Sequence, residues 1–188
     1  VGGSMGYIYA VSSANGGLTW SSPVATSGSY NFTNSEAVLV DGTVYIVTVS
    51  SSGAYLLKYD VSAGSWSDPL LLDGTATFAS ISTNGGSALS AFTGNSTSVL
   101  YRVSQDLGAT WSSPSTISSS ETNAAFITLG PAFMNTFAFS LWTSGSSSPY
   151  SVKFAAMPAT VPTAATSDAS WSQPGLSPYE YYFLHESE

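Results

Sequence analysis

Ser104-Gln105-Asp106-Leu107-Gly108-Ala109-Thr110-Trp111 is repeated almost residue for residue by Ser13-Ala14-Asn15-Gly16-Gly17-Leu18-Thr19-Trp20, and both octets run on into Ser-Ser-Pro. The shared pattern, S-x-D/N-x-G-x-T-W, describes a turn that satisfies itself. The short acceptor at Asp106 or Asn15 can take hydrogen bonds from backbone N–H groups further along, and the glycine at Gly108 or Gly17 supplies a positive φ. Thr110 and Thr19 re-enter a strand. Trp111 and Trp20 are expected to bury a large ring that fixes the hairpin to its sheet. All of these roles are structural, so the repeat speaks to fold and leaves function open. The two octets should therefore form equivalent hairpins.

Weaker copies follow at regular spacing. Tyr59 to Pro69 keeps the Trp-Ser-x-Pro ending, and Ser167 to Pro174 keeps it again. Trp20, Trp66 and Trp111 succeed one another at 46 and 45 residues, the size of a four-stranded unit, whereas Trp171 comes 60 residues later. The excess lies in Pro158 to Ala165, whose two prolines and small residues read as an inserted loop.

These octets and their degenerate copies resemble the Asp-box, or BNR, repeats of sialidase-like β-propellers, in which the box is the turn between the third and fourth strands of a blade. The resemblance implies an all-β fold, a β-propeller of four-stranded antiparallel blades, and places the boxes on the rim away from the ligand-binding face. It assigns a partial blade to residues 1–28, blades to about 30–74, 76–118 and 122–174, and a terminal strand to 177–186. That makes three and a half to four blades, where sialidase-like propellers close with six or more. Three readings stay open: a slice of a longer protein, which is favoured, a small ring completed by the C-terminal strand, or an open module completed by another chain.

The residues between the tryptophans support consecutive strands independently. Ala37 to Val40 and Thr43 to Val49 flank Asp41-Gly42, a strong hairpin signal. Phe78 to Phe92 repeats the pattern about Asn84-Gly85-Gly86, and Phe126 to Trp142 about Gly130-Pro131. Third strands are expected at Tyr55–Tyr59, Val99–Ser104 and Tyr150–Ala156. No window sustains a 3.6-residue apolar period, so no helix is expected. Tyr179 to His185 reads as a lone strand that pairs with an edge, in the first unit or in a neighbouring molecule.

Composition narrows the setting. With 43% apolar residues among 188 and no cysteine, the chain can build a core without disulfides or thiol chemistry. Eleven acidic against three basic residues give a charge of −8, which argues against nucleic acid and anionic membranes. No apolar run is long enough to insert in a bilayer. A hydroxyl-rich, tyrosine-rich exterior points to a secreted or cell-surface protein, and the sequons at Asn31 and Asn95 fit a glycoprotein.

The chemistry of sialidases, as the resemblance implies it, needs three arginines on the sialic-acid carboxylate and a tyrosine activated by a glutamate. Arg102 is the only arginine, and one guanidinium cannot build that clamp. His185 is the only histidine, which excludes His-cluster metal sites and Ser-His-Asp catalysis within the chain. No cofactor or metal is expected. Of the carboxylates, Glu36 and Glu121 fall just before expected innermost strands and are candidates for ligand contact. Trp142, outside the box framework, is a candidate for stacking on a sugar or for the core. Lys58, Arg102 and Lys153 occupy similar places in successive third strands, where a long stem can cover apolar surface. The expectation is a non-catalytic extracellular recognition, adhesion or surface-assembly module that contacts a glycan or another protein chain. The alternative is a fragment of a larger glycoside hydrolase whose catalytic residues lie elsewhere.

Overall fold

Asp41 and Gly42 both take positive φ, 47° and 75°, the two-residue turn whose twist matches that of the strands it joins. Around it β3 (Asn34–Val40) and β4 (Thr43–Ser50) pair in register from Val40↔Thr43 to Asn34↔Val49. β5 (Gly53–Asp60) then adds antiparallel to β4, from Ser50↔Gly53 to Thr43↔Asp60. β6 (Ser65–Trp66) and β7 (Leu70–Asp73) both pair with β5. They are two pieces of one edge, interrupted where Pro69 has no N–H to donate.

In the computed structural model, which describes residues 6–26, 28, 31–129, 137–148 and 150–158, this meander recurs along the chain. A two-stranded sheet of β1 (Tyr9–Ala10) and β2 (Val24–Ala25) precedes it. The next sheet holds β8 (Phe78–Thr83), β9 (Leu89–Gly94), β10 (Val99–Ser104) and β11 (Ser115–Ser118) in sequential order. The last holds β12 (Ala125–Leu129), β13 (Phe137–Ser144) and β14 (Ser151–Pro158). All pairings are antiparallel, and no helix occurs among the described residues. The all-β expectation holds, with strands flanking Asp41-Gly42 and Asn84-Gly85-Gly86 as expected, whereas the expected turn at Gly130-Pro131 lies outside the described residues. Among the described residues the four sheets close into no barrel or complete ring. The expected terminal strand at 177–186, the degenerate box at 167–174 and most of the loop at 158–165 lie outside the described residues.

The sheets stack face to face at two interfaces. Val38, Val40, Tyr45, Val47 and Leu56 of the second sheet meet the smaller Ala79 and Ala91, with Ile81 and Leu89, of the third. Phe78, Phe92, Tyr101 and Val103 on the opposite face of the third sheet meet Ala138, Trp142, Ala155 and Met157 of the fourth. Strand alternation makes both faces of the third sheet core, and every residue of β8 and β9 is buried. Hydroxyl residues that alternation would otherwise leave to solvent, Ser80, Ser82 and Ser90, are therefore buried along with the apolar ones.

The 104–111 turn is part of the first of these interfaces. Leu107 and Trp111 pack on the core of the second and third sheets. At Gly108, φ is 73° and an added Cβ would stand 2.8 Å from Leu56 Cδ2, so the backbone lies directly on β5. Gly17, at φ 89° in the matching turn, would meet only Trp20 Cζ2 at 3.7 Å. Gly108→Ala is therefore expected to combine left-handed strain with overpacking and to cost about 2–4 kcal/mol. Gly17→Ala should cost only the strain, about 1 kcal/mol. Urea unfolding of both variants checks this, and equal losses would mean that the 104–111 turn is not seated on β5.

Candidate functional site

Ser104 and Ser13 begin matching hydrogen-bond sets. In one octet Ser104 Oγ donates to Asp106 Oδ1 (2.7 Å) and accepts from Gly108 N (2.7 Å), while Thr110 N donates to Asp106 Oδ1 (2.8 Å). In the other, Ser13 Oγ donates to Asn15 Oδ1 (3.0 Å) and accepts from Gly17 N (2.8 Å), while Thr19 N donates to Asn15 Oδ1 (2.9 Å). The carboxylate adds a bond from Thr110 Oγ1 at 2.5 Å, and in the other turn the amide reverses this polarity, Asn15 Nδ2 donating to Thr19 Oγ1 at 2.9 Å. The octets are thus equivalent hairpins, as expected.

The serine after each tryptophan closes the turn. Ser112, Ser21 and Ser67 donate their N–H groups to Val103, Ser12 and Lys58 carbonyls, and their hydroxyls accept from the same three residues. Trp66 therefore aligns with Trp111 and Trp20, although the Asp60 turn differs inside, with Asp60 Oδ1 accepting from Ser62 N and Oγ and from Ala63 N. The tryptophans diverge in burial, against the expectation that each anchors a hairpin. Trp111 is half-buried, Trp66 Nε1 donates to Val24 O at 2.9 Å across to the first sheet, and Trp20 remains 62% exposed. Among the described residues no further sheet packs on Trp20.

The same alignment corrects the reading of the basic residues. Lys58 matches Val103, so Arg102 lies one residue away and on the other face of its strand. Lys58 Nζ donates to Leu107 O (2.8 Å) and lies 5.6 Å from the Tyr45 ring centroid, tying β5 to the following unit's turn. Burial pushes its pKa down, and Asp106 opposes that. Arg102 Nε is buried without a hydrogen-bond partner among the described residues. Lys153 points inward to a carboxylate. The three cations form no common surface.

The candidate ligand residues are committed elsewhere. Glu36 lies within β3 rather than before it, and its Oε2 accepts from Ser80 Oγ and from Ile81 N (3.3 Å), joining β3 to β8. Glu121 precedes β12, its side chain is fully buried, and its Oε1 meets Lys153 Nζ at 3.0 Å. Burial would raise the Glu121 carboxyl, but the Ser118 and Ser144 hydroxyls and Lys153 together hold it below its ordinary value. Its Oε2 accepts no hydrogen bond, and Ser144 Oγ donates to Thr122 O (3.3 Å), so the Lys153 contact is the one secured by geometry. Trp142, opposite Lys153 in the β13–β14 register, is 4% exposed within the core, so its ring faces are closed to a sugar. Glu121 and Trp142 thus neighbour one cation, and Glu36 sits at a different interface.

Sequence reasoning missed an open groove of about 320 Å³ on the second sheet, lined by Thr43, Tyr45, Lys58, Asp60, Ser65 and Trp66, with Ser67. Only tertiary structure assembles it, since its residues come from β4, β5, β6 and their turns. Of the sequons, Asn31 is exposed, whereas Asn95 Oδ1 accepts from Thr97 and Ser98 in a closed turn and its Nδ2 lies 3.4 Å from Thr75 Oγ1. His185 and Asp168 lie outside the described residues. Among the described residues no group of three or more His, Asp or Glu side chains could hold a metal, and no helix is long and apolar enough to cross a membrane. Compared with known protein families and with curated proteins, the chain matches none.

Two outcomes are expected from these charges. Asp106, exposed but bound by Thr110 and Ser104, is held at about 2. Its folded value lies below the unfolded one, so its stabilisation is present above about pH 4 and is lost as pH falls toward 2. Asp106→Asn should keep the turn, as Asn15 does, and shrink the fall in Tm between pH 6 and pH 2.5. Lys153→Met should cost about 2 kcal/mol or more, by stranding a buried carboxylate, with much of the loss recovered in Glu121→Gln/Lys153→Met. A denaturation double-mutant cycle measures this, and additive losses would show that the pair is not coupled.

Proposed function

We propose that this chain is a series of blades of a sialidase-like β-propeller and serves as a non-catalytic recognition and assembly module outside the cell, contacting a glycan or another protein. The observation that carries the reading is the employment of the carboxylates. Glu36, Asp60, Asp73, Asp106 and Glu121 each accept hydrogen bonds or an ion pair from the fold itself. Glycoside hydrolysis needs two carboxyl groups facing a substrate across a cleft. These groups instead hold turns closed or join one sheet to the next.

Support for blades comes from the repeated meanders, from the matching turns after the third strands β1 and β10, and from first strands in contact, β3 with β8 and β8 with β12. Support for an extracellular setting comes from the serine- and threonine-rich surface and the exposed Asn31 sequon. With Tyr45 in the core and Lys58 and Asp60 bonded within the fold, the open groove presents the hydroxyl residues Thr43, Ser65 and Ser67 beside Trp66, a lining suited to a neutral, hydroxyl-rich ligand rather than a multiply charged one.

The test is a glycan array together with a hydrolysis assay on fluorogenic sialosides and neutral glycosides. Binding without turnover is expected, weakened at least about tenfold by Ser65→Trp, which fills the groove from an exposed strand position. Turnover abolished by Arg102→Ala or Glu121→Gln would overturn the reading in favour of a glycosidase.

A further inference from the structure

Asn15-Gly16 and Asn84-Gly85 are the two places in this chain where asparagine is followed by glycine, and in both a second glycine comes next. Such a pair is open to internal attack, because no side chain shields the glycine nitrogen from the asparagine amide carbon. Both asparagines are exposed, and a Cβ built on Gly16 or Gly85 would meet nothing within 4 Å, so both sites have room. Both amide carbonyls are polarised by two donors. Asn15 Oδ1 accepts from Thr19 N (2.9 Å) and Ser13 Oγ (3.0 Å), and Asn84 Oδ1 accepts from Gly86 N (2.9 Å) and Ala88 N (3.0 Å).

The attacking nitrogens differ. Gly85 N donates to Thr83 Oγ1 at 3.1 Å, and in the 104–111 turn the counterpart of Gly16 N, Leu107 N, donates to Ser87 O at 3.0 Å. Gly16 N makes no hydrogen bond among the described residues. A bonded N–H must give up its partner before solvent base can take the proton and before the nitrogen can turn toward the amide carbon. Only the Gly16 nitrogen is free of that cost.

We propose that Asn15 is a site of spontaneous deamidation, and that its aspartate product turns the 13–20 octet into a second copy of the Asp106 turn. Solvent base takes the Gly16 N–H proton, and the nitrogen lone pair forms a bond to Asn15 Cγ. Ser13 Oγ–H and Thr19 N–H point at the oxygen on which negative charge then develops, as donors do in an oxyanion hole. The Cγ–Nδ2 bond breaks, and the nitrogen leaves as ammonia with a proton from water. Water adds to the cyclic imide and opens it, so the net change is asparagine plus water to aspartate plus ammonia. Opening at Cγ restores the ordinary main chain, and Asp106 shows how the new carboxylate is held, with Oδ1 accepting from the threonine N–H and Oδ2 from its hydroxyl. Opening at the main-chain carbonyl gives isoaspartate, whose longer main chain does not fit the bonds from Ser13 to Gly17 and from Asn15 to Thr19. This reactivity needs nothing from the recognition role above.

Incubation of the full 188-residue chain at mildly alkaline pH, followed by peptide mapping with mass spectrometry, measures conversion at each asparagine. Asn15 is expected to convert at least about fivefold faster than Asn84, the factor that one hydrogen bond on the attacking nitrogen accounts for. In urea the two rates should converge, since both sites read Asn-Gly-Gly and only the fold separates them. Thr83→Val keeps the side-chain shape, removes the acceptor of Gly85 N together with a bond to Ala88 O, and should raise the Asn84 rate toward that of Asn15. Asn15→Asp should keep the parent's circular dichroism and Tm at neutral pH. Asn84 converting as fast as Asn15 in the folded parent, a difference that persists in urea, an Asn84 rate unmoved in a folded Thr83→Val, or a loss of Tm in Asn15→Asp would each overturn the proposal. The comparison within the parent holds even where Thr83→Val does not fold.

Discussion

Stacking of one sheet's apolar face on the apolar face of the next is the constraint that the rest of this structure obeys. A three- or four-stranded meander has two faces and can bury neither alone. Leu56, Val47 and Tyr45 become core only because Ala79, Ile81 and Ala91 lie across from them. Those residues in turn belong to a sheet whose other face carries Phe78, Phe92 and Tyr101 for its own successor. Stability in such a series depends on neighbours.

Polar groups follow the same logic. Glu36 reaches from β3 to Ser80 and Ile81 on β8, and Lys58 reaches from β5 to Leu107 in the next turn. Asp73 on β7 accepts from Thr93 on β9 at 2.9 Å. Each spans the boundary between consecutive sheets, where main-chain pairing supplies nothing and a partner is needed for any group removed from water. Residues that would attract attention as catalytic in a list of carboxylates are thus occupied in keeping the stack in register. The Glu121–Lys153 pair is the extreme case, with the acid wholly buried and the base partly open to water.

The turns show how far a local pattern carries. Asp106 and Asn15 are interchangeable because each offers one oxygen, Oδ1, to the N–H of the threonine four residues on. Fold class, strand order and these turns were legible in the chain, since alternation, Asp-Gly and the octet each act over a few residues. The register of the basic residues was not. Lys58 and Arg102 look alike in sequence, yet a one-residue offset puts them on opposite faces of their strands. The tryptophans were misread for a related reason: matching octets leave Trp111 half-buried on the core of the second and third sheets and Trp20 exposed among the described residues.

By itself, then, the sequence determined the antiparallel meanders, their spacing and the shape of the turns, all of which arise from contacts between near neighbours along the chain. Only the tertiary structure decided what the singular residues do. Trp142 was suited to a sugar or to a core, and the packing of β13 on the third sheet made it core. Glu36 and Glu121 were candidates for a ligand, and strands far away in sequence claimed them first. The groove beside Trp66 is assembled from β4, β5 and β6, and no single one of them contains it. Whether a side chain faces solvent, a ligand or a neighbour is settled by which sheet lies opposite, and that is a matter of long-range packing that a local pattern does not encode.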